Sequence, residues 1–166
     1  GFTIGMSATI QPRFNMVCCK DEFGEDYLSK KGKKNYKTAV KNKFLQTVNV
    51  DKSGLDDFER VMNCTADRQG VSLRDREKKF KLEENLASYT RRVNEGEANL
   101  SKYGDKQCIA GALSIIFGET AELLYAGADN DFRRLMAPYK TWFSAMETSF
   151  ERGCKYVNLG GISGYK

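Results

Sequence analysis

The ten residues Cys108-Ile109-Ala110-Gly111-Ala112-Leu113-Ser114-Ile115-Ile116-Phe117 restrict this chain more than any other feature. A run this apolar and this short is a buried strand, and Gly118-Glu119 with the run from Thr120 to Ala126 makes it one arm of a hairpin. A sheet must bury its faces against something, so the neighbouring segments decide the class. Arg13 to Val17 alternates polar and apolar side chains, and Phe44 to Val50 does so again, as half-buried strands do. Leu55, Phe58, Val61, Met62 and Thr65 step by three and four, the stripe of an amphipathic helix that Gly70 is placed to end. Residues 25–42 read as a helix interrupted at Gly32. A further helix runs from about Arg134 or Pro138 to Arg152, with Trp142, Phe143, Met146 and Phe150 inward and Gly153 as its stop. Tyr156 to Leu159 is the last strand, with Gly160 to Gly164 as a loop beyond it. Residues 74–102 are polar and proline-free with sparse apolar positions, which predicts a short helical arm or helix pair. The expected architecture is α/β (α+β): a mixed sheet covered by helices.

Composition narrows the chemistry. The chain of 166 residues has 40% apolar and 30% charged residues, ordinary for one folded domain. It contains no histidine, which removes Ser-His-Asp and Cys-His catalysis and His-ligated zinc from this chain. The 5 cysteines lack framework or C-x-x-C spacing and read as reduced core thiols. No metal site or cofactor motif is evident. No apolar stretch reaches the roughly 20 residues that cross a bilayer. The net charge of +5 is concentrated, since Lys30, Lys31, Lys33, Lys34, Lys37, Lys41 and Lys43 fall in one stretch without an acid. That density suits a polyanion such as tRNA or an anionic lipid surface, and equally a solvated helix face.

Three segments carry a family resemblance. They are Gly1-Phe2-Thr3 with Ile10-Gln11-Pro12-Arg13-Phe14; Tyr103-Gly104-Asp105 with Ala110-Gly111-Ala112-Leu113; and Leu124-Tyr125-Ala126-Gly127-Ala128, Arg133, Met136-Ala137-Pro138-Tyr139, Trp142, Gly153-Cys154-Lys155-Tyr156 and Gly160-Gly161-Ile162-Ser163-Gly164. In this order the chain resembles the FemABX/MurM family of tRNA-dependent peptidoglycan bridge-forming aminoacyltransferases. The resemblance implies two acetyltransferase-like (GNAT-like) halves, of which this chain is the second. Residues 1–10 are then the tail of the preceding half, and residues 11–166 are an incomplete domain carrying a helical arm at about 74–102.

It further implies transfer of an amino acid from aminoacyl-tRNA to the stem-peptide amine of a muropeptide or lipid-linked precursor. No cofactor is needed, and the work is done in the cytoplasm, peripheral to the membrane. Arg74 matches a family arginine that binds acceptor phosphates or carboxylates, which a guanidinium fork pairs two at a time. The aromatic expected one turn later is replaced by Lys78 and Lys79. Tyr125, at the end of the hairpin strand, is placed to present its hydroxyl to the acceptor or simply to rim the core. Lys30, Lys31, Lys33, Lys34, Lys37 and Lys41 are the expected tRNA or phosphate contacts. The family's catalytic lysine is expected beyond Lys166, so this stretch alone is expected to be inactive. Alternatives are a CoA-dependent N-acyltransferase of the same fold, for which no glycine-rich pyrophosphate loop is evident, and a non-catalytic RNA-binding module.

Overall fold

The computed structural model describes residues 14–50, 55–69, 95–103 and 107–162. Its elements are β1 (Phe14–Cys19), α1 (Lys30–Lys41), β2 (Leu45–Val50), α2 (Leu55–Gln69), β3 (Glu95–Tyr103), β4 (Gln107–Phe117), β5 (Thr120–Ala128), α3 (Ala137–Glu151) and β6 (Tyr156–Ile162). The strands form one 6-stranded sheet in the order β1-β6-β5-β4-β3-β2. All neighbours are antiparallel except β5 and β6, which run parallel. The expected mixed sheet covered by helices is therefore what forms.

The apolar run of β4 is central and buried because helices cover both faces. On one face, α3 brings Ala145, Met146 and Phe150 against Ala112, Ile116, Ala121, Leu123 and Val157, with Trp142 and Phe143 partly buried at the margin. On the other face, α2 seats Phe58 and Val61 on Cys108 and Leu113. Each of the larger side chains among these, Val, Leu, Ile, Met or Phe, contributes about 1.5–3 kcal/mol on burial. A third cluster joins Ala39 of α1 and Leu45 of β2 to Ile109, Ala110 and Ala137. Apart from Ala39, α1 lies along α3 rather than on the sheet. There the Tyr36 ring stacks on Phe143 with centroids 4.1 Å apart, and Asn35 Nδ2 donates to Tyr139 Oη at 3.0 Å.

Four expectations are corrected. Residues 95–102, assigned to a helical arm, lie in β3, which pairs with β4 from Glu95↔Ile116 to Tyr103↔Gln107 and with β2 on its other side. Gly96, Asn99 and Ser101 are weak helix formers, and two ladders supply what local propensity lacks. Residues 74–94 of that arm lie outside the described residues, as does the expected tail at 1–10. Gly32 does not interrupt a helix over 25–42. Glu25–Tyr27 is a separate 3-10 turn, and α1 starts after Ser29, whose Oγ accepts the Gly32 N–H at 3.1 Å. Gly32 sits buried in the first turn, where a Cβ would lie 3.3 Å from Ser29 Oγ.

The hairpin strand expected to stop at Ala126 continues to Ala128. Finally, Gly160-Gly161-Ile162 belong to β6 rather than to a loop. The ladder with β1 steps from Asn15↔Gly161 to Val17↔Asn158, and Gly160 takes φ +95° at that irregularity. Ser163 and Gly164 are outside the described residues. All five cysteines are free, and burial pushes the Cys18 and Cys154 thiols up, in keeping with packing roles.

Candidate functional site

The irregular point of the sheet is the parallel pair. β5 and β6 are in register at Thr120↔Tyr156, Ala121↔Val157 and Glu122↔Asn158, and among the described residues no pairing continues beyond Glu122. From there β6 follows β1 and β5 follows β4, so the two strands diverge and leave a gap. β5 changes phase at the same place. Its register against β4 passes from Leu123↔Ser114 to Tyr125↔Leu113, which makes Leu124 an extra residue, a β-bulge. The bulge inverts the alternation. Ala121, Leu123 and Ala126 pack on the α3 side, whereas Tyr125 shares the α2 side with Leu113. Tyr125 is 43% exposed beside the gap.

The far end of the gap is closed by α2. Thr65 Oγ accepts the Ala128 N–H at 2.8 Å, and the carbonyls of Val61 (3.1 Å) and Ala128 (3.2 Å) are within reach of its proton. Ala128 is partnered with Ala110 on β4, yet its N–H turns to Thr65 on the opposite side. Strand alternation then points the N–H and C=O of Ala126 the same way, into the gap. Between them, Gly127 lets the two backbones touch: a Cβ there would stand 2.8 Å from Val61 O and 2.9 Å from Met62 N. Arg60 completes the joint. Its guanidinium donates to Asp129 at 3.0 Å and to the Cys108 carbonyl, while Asp129 also accepts the Asp131 N–H at 3.1 Å. Burial is the largest single influence on the Arg60 pKa and lowers it, but the Asp129 hydrogen bond, that carboxylate's charge and the nearby Cys64 and Cys108 together outweigh it and the net shift is upward.

The lysines lie elsewhere, on the outer side of α1. Lys30, Lys34, Lys37 and Lys41 follow a 4-3-4 spacing, which puts them on one stripe, opposite buried Ala39. That stripe is about 16 Å long at 1.5 Å per residue. Two of the six expected contacts are already paired. Lys37 meets Glu25 at 2.7 Å and Lys33 meets Asp26 at 3.2 Å, both from the preceding 3-10 turn. Among the described residues Lys30, Lys31, Lys34 and Lys41 have no carboxylate partner. The structure therefore places Tyr125 at the gap and the lysines on a separate ridge. Arg74 lies outside the described residues. The sequence does not single out Arg60 or Asp129; Thr65 is visible only as the end of an apolar stripe and Gly127 only within the segment that carries the resemblance.

A chain with this arrangement has known counterparts. Residues 1–77 and 74–165 match the FemAB family. An alanyltransferase of Weissella viridescens, UDP-N-acetylmuramoylpentapeptide-lysine N(6)-alanyltransferase, is 26% identical over 168 residues, covering 95% of this chain and 46% of that protein. The crystal structure of FemX superposes with a TM-score of 0.77 at 17% identity, covering 100% of this chain and 57% of that one. An aminoglycoside acetyltransferase from an uncultured soil metagenomic sample gives a TM-score of 0.54 at 12% identity, over 74% of this chain and 78% of that one. The fold is that of an acetyltransferase-like α/β sheet with a splayed parallel pair. The chain belongs to the FemAB family. It spans about half the length of the curated relative that it matches.

Proposed function

We propose that this chain is the second acetyltransferase-like half of an aminoacyltransferase that moves an amino acid from aminoacyl-tRNA to the stem-peptide amine of a peptidoglycan precursor. The observation that carries the reading is the gap between β5 and β6 in a FemAB-family sheet, with Tyr125 on one lip and the Ala126 backbone facing inward. The reaction is attack of a neutral amine on the ester carbonyl. A C–N bond forms, the C–O bond to the tRNA ribose breaks, and the proton lost by the amine ends on the departing ribose oxygen, which leaves as a hydroxyl.

Such a step needs close approach and a donor for the developing oxyanion rather than an imidazole. The Ala126 N–H is one such donor, and a lysine beyond Lys166 supplies the charge. Tyr125 and Arg74 hold the acceptor, the tyrosine by its hydroxyl and the arginine through phosphate or carboxylate oxygens. The α1 ridge of Lys30, Lys31, Lys33, Lys34, Lys37 and Lys41 draws in the tRNA backbone, and the same ridge meets anionic headgroups where the acceptor is lipid-linked. None of the described helices is long and apolar enough to cross a membrane.

The test is transfer by the full-length protein from charged tRNA to a lysine-containing UDP-MurNAc-pentapeptide, read as the mass added to the muropeptide. Product that depends on charged tRNA, with no CoA required, supports the reading. Acyl transfer from acyl-CoA, or RNA binding without any product, refutes it.

A further inference from the structure

Two amides of β5 turn away from β4 beyond the point where β6 leaves it, those of Ala126 and Ala128. They stand two residues and roughly 6.8 Å apart along the strand. Only one of them is open. Thr65 of α2 accepts the Ala128 N–H at 2.8 Å, and its own proton is within reach of the Val61 carbonyl at 3.1 Å and the Ala128 carbonyl at 3.2 Å. The hydroxyl is thus used both as acceptor and as donor, and the Ala126 N–H remains as the donor that faces the gap.

The fold brings Thr65 this close by two further contacts. Gly127 admits the backbone of α2, since a Cβ there would stand 2.8 Å from Val61 O. Arg60, on the same helix, holds Asp129, the residue after Ala128, at 3.0 Å. An oxygen at the Thr65 Oγ position therefore meets three backbone groups, one N–H and two carbonyls. Such a set of partners is what retains a buried water. With the hydroxyl removed, the same three groups would order a water at the closed end of the gap, beside the carbonyl that the Ala126 N–H receives.

We infer that Thr65 is a positioning residue for the transfer: by occupying the Ala128 amide it leaves a single donor for the reacting carbonyl and keeps water from the end of the gap. The inference rests on the proposed function and concerns the choice of nucleophile. When the amine attacks, a peptide bond forms. When water attacks, its oxygen bonds to the carbonyl carbon and the same C–O bond breaks. The amino acid then leaves as a free acid, and the ribose oxygen takes one of the water's protons.

The full-length protein is given charged tRNA and a lysine-containing UDP-MurNAc-pentapeptide, and two products are measured in one reaction: the aminoacylated muropeptide, and free amino acid above the protein-free background. Their ratio does not depend on how much of the protein is active, so a variant that is merely less stable leaves it unchanged. Thr65→Ala raises hydrolysis relative to transfer by about 5- to 10-fold, the worth of one neutral hydrogen bond. Thr65→Ser keeps the oxygen and restores the parent ratio. Arg60→Ala loosens the same joint with the Ala128 amide still taken, so it lowers both products together. An unchanged ratio in folded Thr65→Ala, or an equal rise in Arg60→Ala, overturns the inference and leaves the proposed function standing. Absence of tRNA-dependent transfer by the unaltered protein refutes the proposed function, and the inference with it. Where Thr65→Ala does not fold, amide hydrogen exchange on the unaltered protein decides: Ala128 exchanges more slowly than Ala126, and equal rates or the reverse order overturn the inference.

Discussion

Replacing Gly127 by alanine tests the seating of α2 on β5 with an unusual feature, a predicted sign. Gly127 lies in a regular stretch of β5, outside the left-handed region, so alanine meets no backbone strain there. Without a neighbour, Gly→Ala at such a position stabilises by about 0.4–1 kcal/mol through the unfolded chain. Here the new methyl would stand 2.8 Å from Val61 O and 2.9 Å from both Met62 N and Val61 C. All three atoms belong to the helix backbone, so no side-chain rotation relieves them. The helix must shift, and it is held by Thr65 on Ala128 and Arg60 on Asp129. Overpacking of this kind costs about 1–3 kcal/mol, which at about 2–4 °C per kcal/mol for a chain of this size lowers Tm by roughly 2–12 °C. Thermal unfolding followed by circular dichroism reads it, with urea unfolding as a check on the slope. An alanine variant equal to or more stable than the parent would show that α2 does not lie on β5 as described.

Asp129→Asn and Arg60→Ala each remove a charged hydrogen bond near the same joint. Each is expected to cost about 1.5–3 kcal/mol, with the double variant costing less than their sum in a urea double-mutant cycle; strict additivity would refute the pairing. Tyr125→Phe leaves Tm unchanged, because the side chain is 43% exposed, and lowers kcat/KM for the muropeptide by about 2- to 10-fold, the worth of one neutral hydrogen bond. Steady-state transfer assays on the full-length protein measure it, and unchanged kinetics would remove Tyr125 from the site. Cys154 is buried and its pKa is raised by burial, so its thiolate fraction at pH 8 is below that of a free cysteine. In the native state it alkylates more slowly than Cys19, and its rate climbs only as pH rises further; mass spectrometry after iodoacetamide pulses reads the order.

The parts of the fold that were legible are those where one side-chain pattern had one physical meaning. The run at β4 could only be buried, Gly118-Glu119 could only be a tight turn, and the stripe from Leu55 to Thr65 could only be one face of α2. β3 was misread because its residues are polar and charged, and a strand between two others is held by ladders that leave little trace in composition. α1 was placed but its start was not, since Ser29 caps it while Gly32 draws the eye. The bulge at Leu124 and the separation of β5 from β6 are facts of register, and register belongs to pairs of strands. Arg60 and Asp129 are 69 residues apart, so neither announced its partner.

That bulge accounts for the placement of the site. With regular pairing from Leu123 onwards, the residue at 125 would face α3 and the core, and 126 would turn its backbone to β4. One extra residue at Leu124 reverses both: it sends Tyr125 to the open side and Ala126 N–H into the gap. Two residues on, the same phase brings Gly127 under α2 and Ala128 to Thr65. The stretch from Leu124 to Ala128 thus carries, in succession, the bulge, an exposed tyrosine, an outward-turned amide, the seat of α2 and the Thr65 contact. Deleting Leu124 would close the bulge yet keep Tyr125 opposite Leu113 and Ala126 opposite Ala112, so residues 125–128 hold their faces and a folded deletion variant of the full-length protein should still transfer. Loss of transfer in a deletion variant that folds would mean that the site needs the bulge itself and not only the register of the residues after it.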